Sequence, residues 1–345
     1  MTMDDRIAAV ARLGFTERQA RFLVHVMLFS GICLPRQYAR SAGIAYGHNV
    51  TEFFAKLVRD GQATAWRSVH NRGRLYHVRG RRFYEAIGEP RHRHRRAVPA
   101  RQVTERLMRL DALLAQPKVQ WLASEAEKVD YLRRLAPTLS TEGLSHVTNR
   151  AGARGPRLLP SDVLVGIGES KPTFVYVATT ASEDDWRRAI VGHGHLLGAL
   201  ATWVFRAYFP PELKAQLSRF HFVFQEELAE PLAAGRVNDL RWYFEQLRTP
   251  TTPRTARDRE RFRESQVQLL ITPRYRLLHE RWRLHGETAF EVASSPAIAE
   301  HLTKHTGQVH CLLLPVSYRN TSALVTPLRT APARSEGVEQ GEDGS

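Results

Sequence analysis

The sequence predicts an α+β protein in two parts: a helical part closed by a small hairpin, then a larger part around a small mixed sheet. Three observations carry this reading. Residues 16–61 contain three helical periods separated by glycine stops, and two short β-like runs follow at 63–78. Beyond residue 137 the order becomes strand, strand, helix, strand, as in an α/β layer. Positive charge gathers at the front. The chain carries a net +15, and residues 1–116 hold 21 Lys+Arg against 9 Asp+Glu.

Thr16-Glu17-Arg18-Gln19 has capping-box spacing, with a hydroxyl to accept from the amide three residues on and an amide side chain to return the bond. The helix it starts reaches about Ser30, with Leu23, Val26, Met27 and Leu28 as core candidates, and Gly31 closes it. A second helix begins at Pro35, a residue suited to a first turn, and stops at Gly43. A third spans His48 to Arg59. Its apolar residues Val50, Phe53, Phe54, Leu57 and Val58 fall at i, i+3, i+4, i+7 and i+8, one buried stripe. The opposite face shows His48, Asn49, Thr51, Glu52, Lys56 and Arg59. Two β-like runs, Ala63 to Val69 and Leu75 to Val78, flank His70-Asn71-Arg72-Gly73-Arg74, whose Asn and Gly suit a tight hairpin. Arg81 to Ile87 returns to helix.

Three helices followed by a hairpin with a basic tip is the order of a winged helix, assigned to residues 1–90. In that arrangement the third helix packs its stripe inward and offers its polar face to a major groove, while Arg72 and Arg74 reach phosphates. Residues 91–136 read as a basic linker and helical connector. Arg91-His92-Arg93-His94-Arg95-Arg96 is a mobile basic run, and helices are expected over 101–115 and 119–134, broken at Pro117. These helices serve as a connector or a dimerisation hairpin.

Residues 137–330 form the expected α/β domain. Strands are read at Asp162–Ile167, Thr173–Thr179 and Thr202–Phe209, with a further one at His221–Phe224. Ser182 caps a long helix to about Leu200. Helices follow at 237–247 and 257–284, the latter broken by Pro273, and a β-rich stretch covers 309–325. Trp66, Trp121, Trp203 and Tyr243 suit core packing. The acidic tail 331–345 reads as disordered. No apolar run approaches the roughly 18 residues of a membrane span, the N-terminus lacks a hydrophobic signal region, and Cys33 and Cys311 make no disulfide framework. A cytoplasmic protein is expected.

Phe22 through Gly88 resembles the winged-helix region of the replication-relaxation family of plasmids and integrative elements. The shared features are the Leu- and Val-rich helix, the Leu57-Val58-Arg59-Asp60-Gly61 end of helix three, the hairpin, the Leu75-Tyr76-His77-Val78 return strand and the Phe83–Gly88 helix. The resemblance covers about a quarter of the chain. Many members of that family carry a second domain that resembles the PD-(D/E)xK nuclease core, and Pro160-Ser161-Asp162 before a hairpin and a long helix is similar to that layout. The core's second strand should present a carboxylate and a lysine two positions on, to hold Mg²⁺ and polarise water. Here it reads Phe174-Val175-Tyr176-Val177-Ala178, with neither. The resemblance therefore implies a nuclease-like fold without its chemistry.

Other constellations are weak. His193 and His195, with His221, lack a Cys or acidic partner at metal-site spacing. Gly166-Ile-Gly168 suits a hairpin turn, not a phosphate loop. Asp184 and Asp185 suit the first turn of a helix. No metal site, cofactor or catalytic residue is expected. The expected function is non-enzymatic binding of double-stranded DNA by a mobile-element protein, in replication, mobilisation or transcriptional control. His48, Asn49, Glu52, Lys56 and Arg59 would lie at the major groove, and Arg72, Arg74, Arg93, Arg95 and Arg96 at phosphates. Further expected partners are a second copy of the chain and replication or mobilisation proteins. The alternatives are a metal-dependent nuclease using Asp162 with Glu169 or Asp184, and a protein-binding adaptor.

Overall fold

A computed structural model describes residues 1–68, 73–137, 163–248, 255–318 and 325–327. The chain is mixed α+β and divides into two compact units, residues 1–103 with 320–345, and residues 104–319.

Unit 1 opens with α1 (Met3–Ala11), which the sequence reading missed although Thr2 and Asp5 form a capping box. The second box is made as its spacing predicts: Gln19 N–H donates to Thr16 Oγ1, and Thr16 N–H donates to Gln19 Oε1 at 3.0 Å. Helix α2 (Glu17–His25) runs into a π turn (Val26–Ser30), so the apolar run to Ser30 is not uniformly α-helical. Gly31, at φ 76°, reverses the chain into β1 (Ile32–Cys33). Then follow α3 (Pro35–Ala42) and α4 (His48–Arg59). An antiparallel hairpin, β2 (Ala63–Ser68) and β3 (Arg74–Val78), precedes α5 (Arg81–Ala86). The sheet order is β1-β3-β2-β9. The last strand, β9 (Val325–Pro327), returns from the far end of the chain to pair antiparallel with Trp66–Ser68.

The basic run 91–96 is not a free linker. Arg93–Arg95 forms a 3-10 turn whose His94 is only 2% exposed. The chain then enters α6 (Ala100–Leu114), with its boundaries close to those expected.

Unit 2 holds a five-stranded mixed sheet in the order β4-β5-β6-β7-β8. Strands β4 (Gln120–Trp121), β5 (Leu164–Ile167) and β6 (Pro172–Val177) are antiparallel. Strand β7 (Trp203–Phe209) is parallel to β6, and β8 (Gly307–Leu313) is parallel to β7. The helix expected over 119–134 is therefore shorter, α7 (Glu125–Leu135), because Gln120 and Trp121 pair with Ile167 and Gly166. The helix expected to reach Leu200 is two, α8 (Glu183–Val191) and α9 (Gly194–Ala199). His221–Phe224 is not a strand but the end of α10 (Leu217–Phe224), which continues into a π turn (Gln225–Ala229). A helical group follows: α11 (Ala234–Arg248), α12 (Ala256–Ile271), α13 (Pro273–His285), α14 (Thr288–Ser294) and α15 (Ala297–Thr303). Pro273 separates α12 from α13 as expected. The 309–325 stretch does not form one β region, since β8 and β9 belong to different sheets. The acidic tail falls outside the described residues.

Two apolar clusters organise unit 2. Trp186, Trp203, Phe205, Phe209, Phe220 and Phe224 fill the space between the sheet and α8–α10. Tyr243, Phe244, Trp282 and Phe290 join α11, α13 and α14. Trp121 and Tyr243 are buried as expected, while Trp66 is half-buried. No helix among the described residues is long and apolar enough to cross a membrane.

His193 sits fully buried between α8 and α9. Its Nδ1–H donates to the Ala189 carbonyl at 2.6 Å and its ring meets Phe205 edge to face. Burial lowers its pKa to about 4, so the folded state keeps it neutral while the unfolded chain protonates it near 6.5. The unfolded state then binds more protons, and this contribution is complete above about pH 6.5 and is lost as pH falls toward 4. Between pH 7.5 and 5.0, His193 should account for about 2 kcal/mol of lost stability. Urea unfolding of the wild-type chain and His193→Phe at both pH values checks this, and the variant should show the smaller pH difference.

Candidate nucleic-acid interface

The orientation of α4 follows from its aromatic stripe. Phe53 lies 4.3 Å from Tyr38 of α3, centroid to centroid, and also meets Phe15 and Phe22 edge to face. Phe54 lies 4.3 Å from Tyr76 of β3. Val50 and Leu57 are fully buried with them. Val58, expected in the core, is 37% exposed and lies just off the stripe.

The polar face divides in two. At its C-terminal end the charges are already engaged. Lys56 Nζ donates to the Gly14 carbonyl at 2.6 Å and sits 4.4 Å above the Phe15 ring. Arg59 pairs with Glu52 at 3.4 Å and with Asp60 at 3.9 Å. Lys56 thus ties α4 to the turn that follows α1, and Glu52 and Arg59 satisfy each other. The N-terminal end is open. His48 and Asn49 are exposed and form no side-chain hydrogen bond or ion pair with a described residue. Gly47, the N-cap, offers no side chain to the first-turn amides, and no side chain among the described residues caps this positive end. Tyr46, 66% exposed, stands beside them. The sequence reading passed over Tyr46 and the missing cap. A Gly where Ser, Thr or Asp is usual was the available signal.

At the hairpin, Arg74 is exposed and opposes Arg67 in the β2–β3 register. Arg72, together with His70 and Asn71, lies outside the described residues. Burial raises the pKa of Tyr76, and burial also pushes the Cys33 thiol well above its ordinary value, removing it from nucleophilic chemistry.

Arg93, Arg95 and Arg96 are presented from a fixed turn. His94 Nδ1–H donates to the Met27 carbonyl in the π turn at 3.0 Å, and His77 Nε2–H donates to the His94 carbonyl at 2.8 Å. Arg95 is half-buried, donating to the Pro90 carbonyl and lying over Tyr84. Arg93 and Arg96 are exposed.

The residues weighed for metal chemistry are dispersed. His193 is buried, His221 is exposed on α10, Glu169 pairs with Lys118 at 2.9 Å, and Asp184 lies in the first turn of α8. Asp162 is outside the described residues. Among the described residues no three His, Cys, Asp or Glu side chains converge as metal ligands. Gly168 N–H donates to the Lys171 carbonyl at 3.2 Å, closing the β5–β6 hairpin.

No protein-family model, curated protein or solved structure matches the chain.

Two variants separate support from presentation. At Gly31 a Cβ would meet the His94 Cβ at 2.8 Å and its carbonyl at 2.9 Å, on a backbone with positive φ. Gly31→Ala should destabilise unit 1 by about 3 kcal/mol, from left-handed strain plus overpacking. It should also expose the 91–96 turn to protease. Lys56→Met should cost about 1 kcal/mol through the lost carbonyl bond and ring contact. Chemical denaturation checks both, and an unchanged midpoint for either contradicts the packing described.

Proposed function

We propose that residues 1–103 form a winged helix that binds double-stranded DNA, in a protein of a mobile genetic element acting in replication, mobilisation or transcriptional control. One observation carries the reading. A 12-residue helix is fixed along one face by aromatic packing while its N-terminal end presents Asn49, His48 and uncapped amides outward. Such a helix is about 18 Å long and fits a major groove about 12 Å wide. Asn49 has the paired donor and acceptor that match adenine, and the helix end suits a phosphate. Arg74 on the hairpin and Arg93 and Arg96 on the His94 turn supply exposed guanidiniums for the backbone. Placement in a mobile element rests on the resemblance of Phe22–Gly88 alone.

In this reading Lys56 braces the helix and does not read bases, and Glu52 and Arg59 form an internal pair. The groove-facing set contracts to Asn49 and His48, with Tyr46 added.

Fluorescence anisotropy of the full chain on a labelled 30-base-pair duplex tests the proposal. With four phosphates neutralised, affinity should fall about 100-fold between 50 and 200 mM salt. Replacing Arg93 and Arg96 by Ala should reduce the slope of log affinity against log salt by about 2. No binding at 50 mM salt, or binding indifferent to salt, removes the DNA reading and leaves the protein-binding adaptor.

A further inference from the structure

Among the described residues, three of the four sheet edges are blunted. Strands β1 and β4 offer two residues each, and β9 offers three that end in Pro327. Strand β8 is different. It runs seven residues, Gly307–Leu313, in an unbroken register with β7, and no strand lies on its other side. It holds no proline, lysine or bulge, the devices that keep an edge from pairing.

The hydrogen bonds at its two ends fix which backbone groups are spent. Trp203 N–H donates to the Thr306 carbonyl at 3.0 Å, and Leu314 N–H donates to the Phe209 carbonyl at 2.7 Å. Backbone groups alternate sides along a strand, so the even-numbered residues turn toward β7. Gly307, Val309, Cys311 and Leu313 turn outward, and their N–H and C=O groups form no hydrogen bond with any described residue. The strand is nonetheless well anchored, because Val309 and Cys311 pack against the apolar cluster beside the sheet. Apolar surface stays open along this edge. Leu313 is 38% exposed and Val309, Cys311 and Leu312 are half-buried, whereas every residue of β7 except Arg206 is buried.

Unspent donors and acceptors in a regular row fit an extended strand. A second copy of the chain supplies one whose pattern matches, because two-fold symmetry makes this edge its own complement. Turned antiparallel about an axis at His310, the two strands overlap along their whole length. Gly307 then faces Leu313 of the second copy, and Val309 faces Cys311 of the second copy, as hydrogen-bonded pairs; symmetry forms the reverse pairs. Any other register within the strand leaves an outward residue unpaired. His310, the middle residue, falls opposite its own counterpart in a non-hydrogen-bonded pair. The strand carries no Lys, Arg, Asp or Glu to repel the copy.

We propose that β8 pairs antiparallel with β8 of a second copy, joining the two five-stranded sheets into one continuous sheet. The dimer is independent of the DNA reading, which uses unit 1.

Sedimentation equilibrium of the full chain should give a dimer. His310→Lys sets two ammonium groups across the axis and should return the chain to monomer, with its circular dichroism unchanged because the position is exposed. His310→Cys in a Cys311→Ala background should cross-link the dimer on mild oxidation. Cα atoms of a non-hydrogen-bonded pair lie about 4.5 Å apart, within disulfide range. Gln308→Cys in the same background should not cross-link, since its counterpart lies about 14 Å away along the strands. A wild-type chain that stays monomeric at its highest soluble concentration overturns the proposal and leaves the edge to a strand of some other protein. A dimer without the His310→Cys cross-link is held by another surface, and the proposal fails.

Discussion

Phe53 and Phe54 are adjacent in sequence and point to different neighbours, the first into Tyr38, Phe15 and Phe22, the second onto Tyr76. A helix held by two large rings that share Tyr38 but otherwise pack on different partners resists rolling. Rotating it to satisfy one ring withdraws the other from a close-packed site, at a cost of several kcal/mol for a displaced buried Phe. The direction of the polar face of α4 depends on this constraint. It aims Asn49 and His48 outward, puts Lys56 within reach of Gly14, and leaves Val58 at the margin.

The second determinant is how much charge the fold keeps for itself. A net +15 suggests a surface of spare cations, but several arginines and lysines are engaged internally. Lys56 caps a carbonyl, Arg59 answers Glu52, Arg95 donates to Pro90, and Arg187 sits under two glutamates. Exposure is a better guide to phosphate-binding potential than count. By that measure Arg59, Arg74, Arg93 and Arg96 are the exposed sequence-predicted arginines, and of these Arg59 is paired with Glu52. The turn at His94 matters for the same reason. A linker would offer its arginines at an entropic cost, whereas a turn anchored to Met27 and His77 holds Arg93 and Arg96 in place before any partner arrives.

Much of the fold could be read where local chemistry decides it. The Thr16–Gln19 box, Pro35, the stripe of α4, Pro273 and the hairpin from Ala63 to Val78 all appear near their expected positions, because each is set by neighbours within a few residues. The failures share the opposite cause. Gln120 and Trp121 become a strand only because Ile167 and Gly166 lie beside them. Val325–Pro327 finds its partner more than 250 residues away, on Trp66–Ser68. His221–Phe224 is apolar and aromatic enough to read as β, yet Phe220 and Phe224 pack as a helix into the cluster beside the five-stranded sheet. His94 lay hidden among arginines, where composition argued for solvent. The site suffered likewise: residue types on α4 were visible, but which of them the protein had already engaged was not.

Site-specific photocrosslinking measures directly whether the N-terminal end of α4 touches DNA. A photoreactive residue placed at position 49, with a second chain carrying it at position 125 on α7 of unit 2, would be irradiated with labelled duplex at 50 mM salt. Crosslinking from position 49, lost when unlabelled duplex competes and absent from position 125, is the predicted result. Crosslinking from position 125 alone, or from neither, would contradict the placement of α4 in the groove.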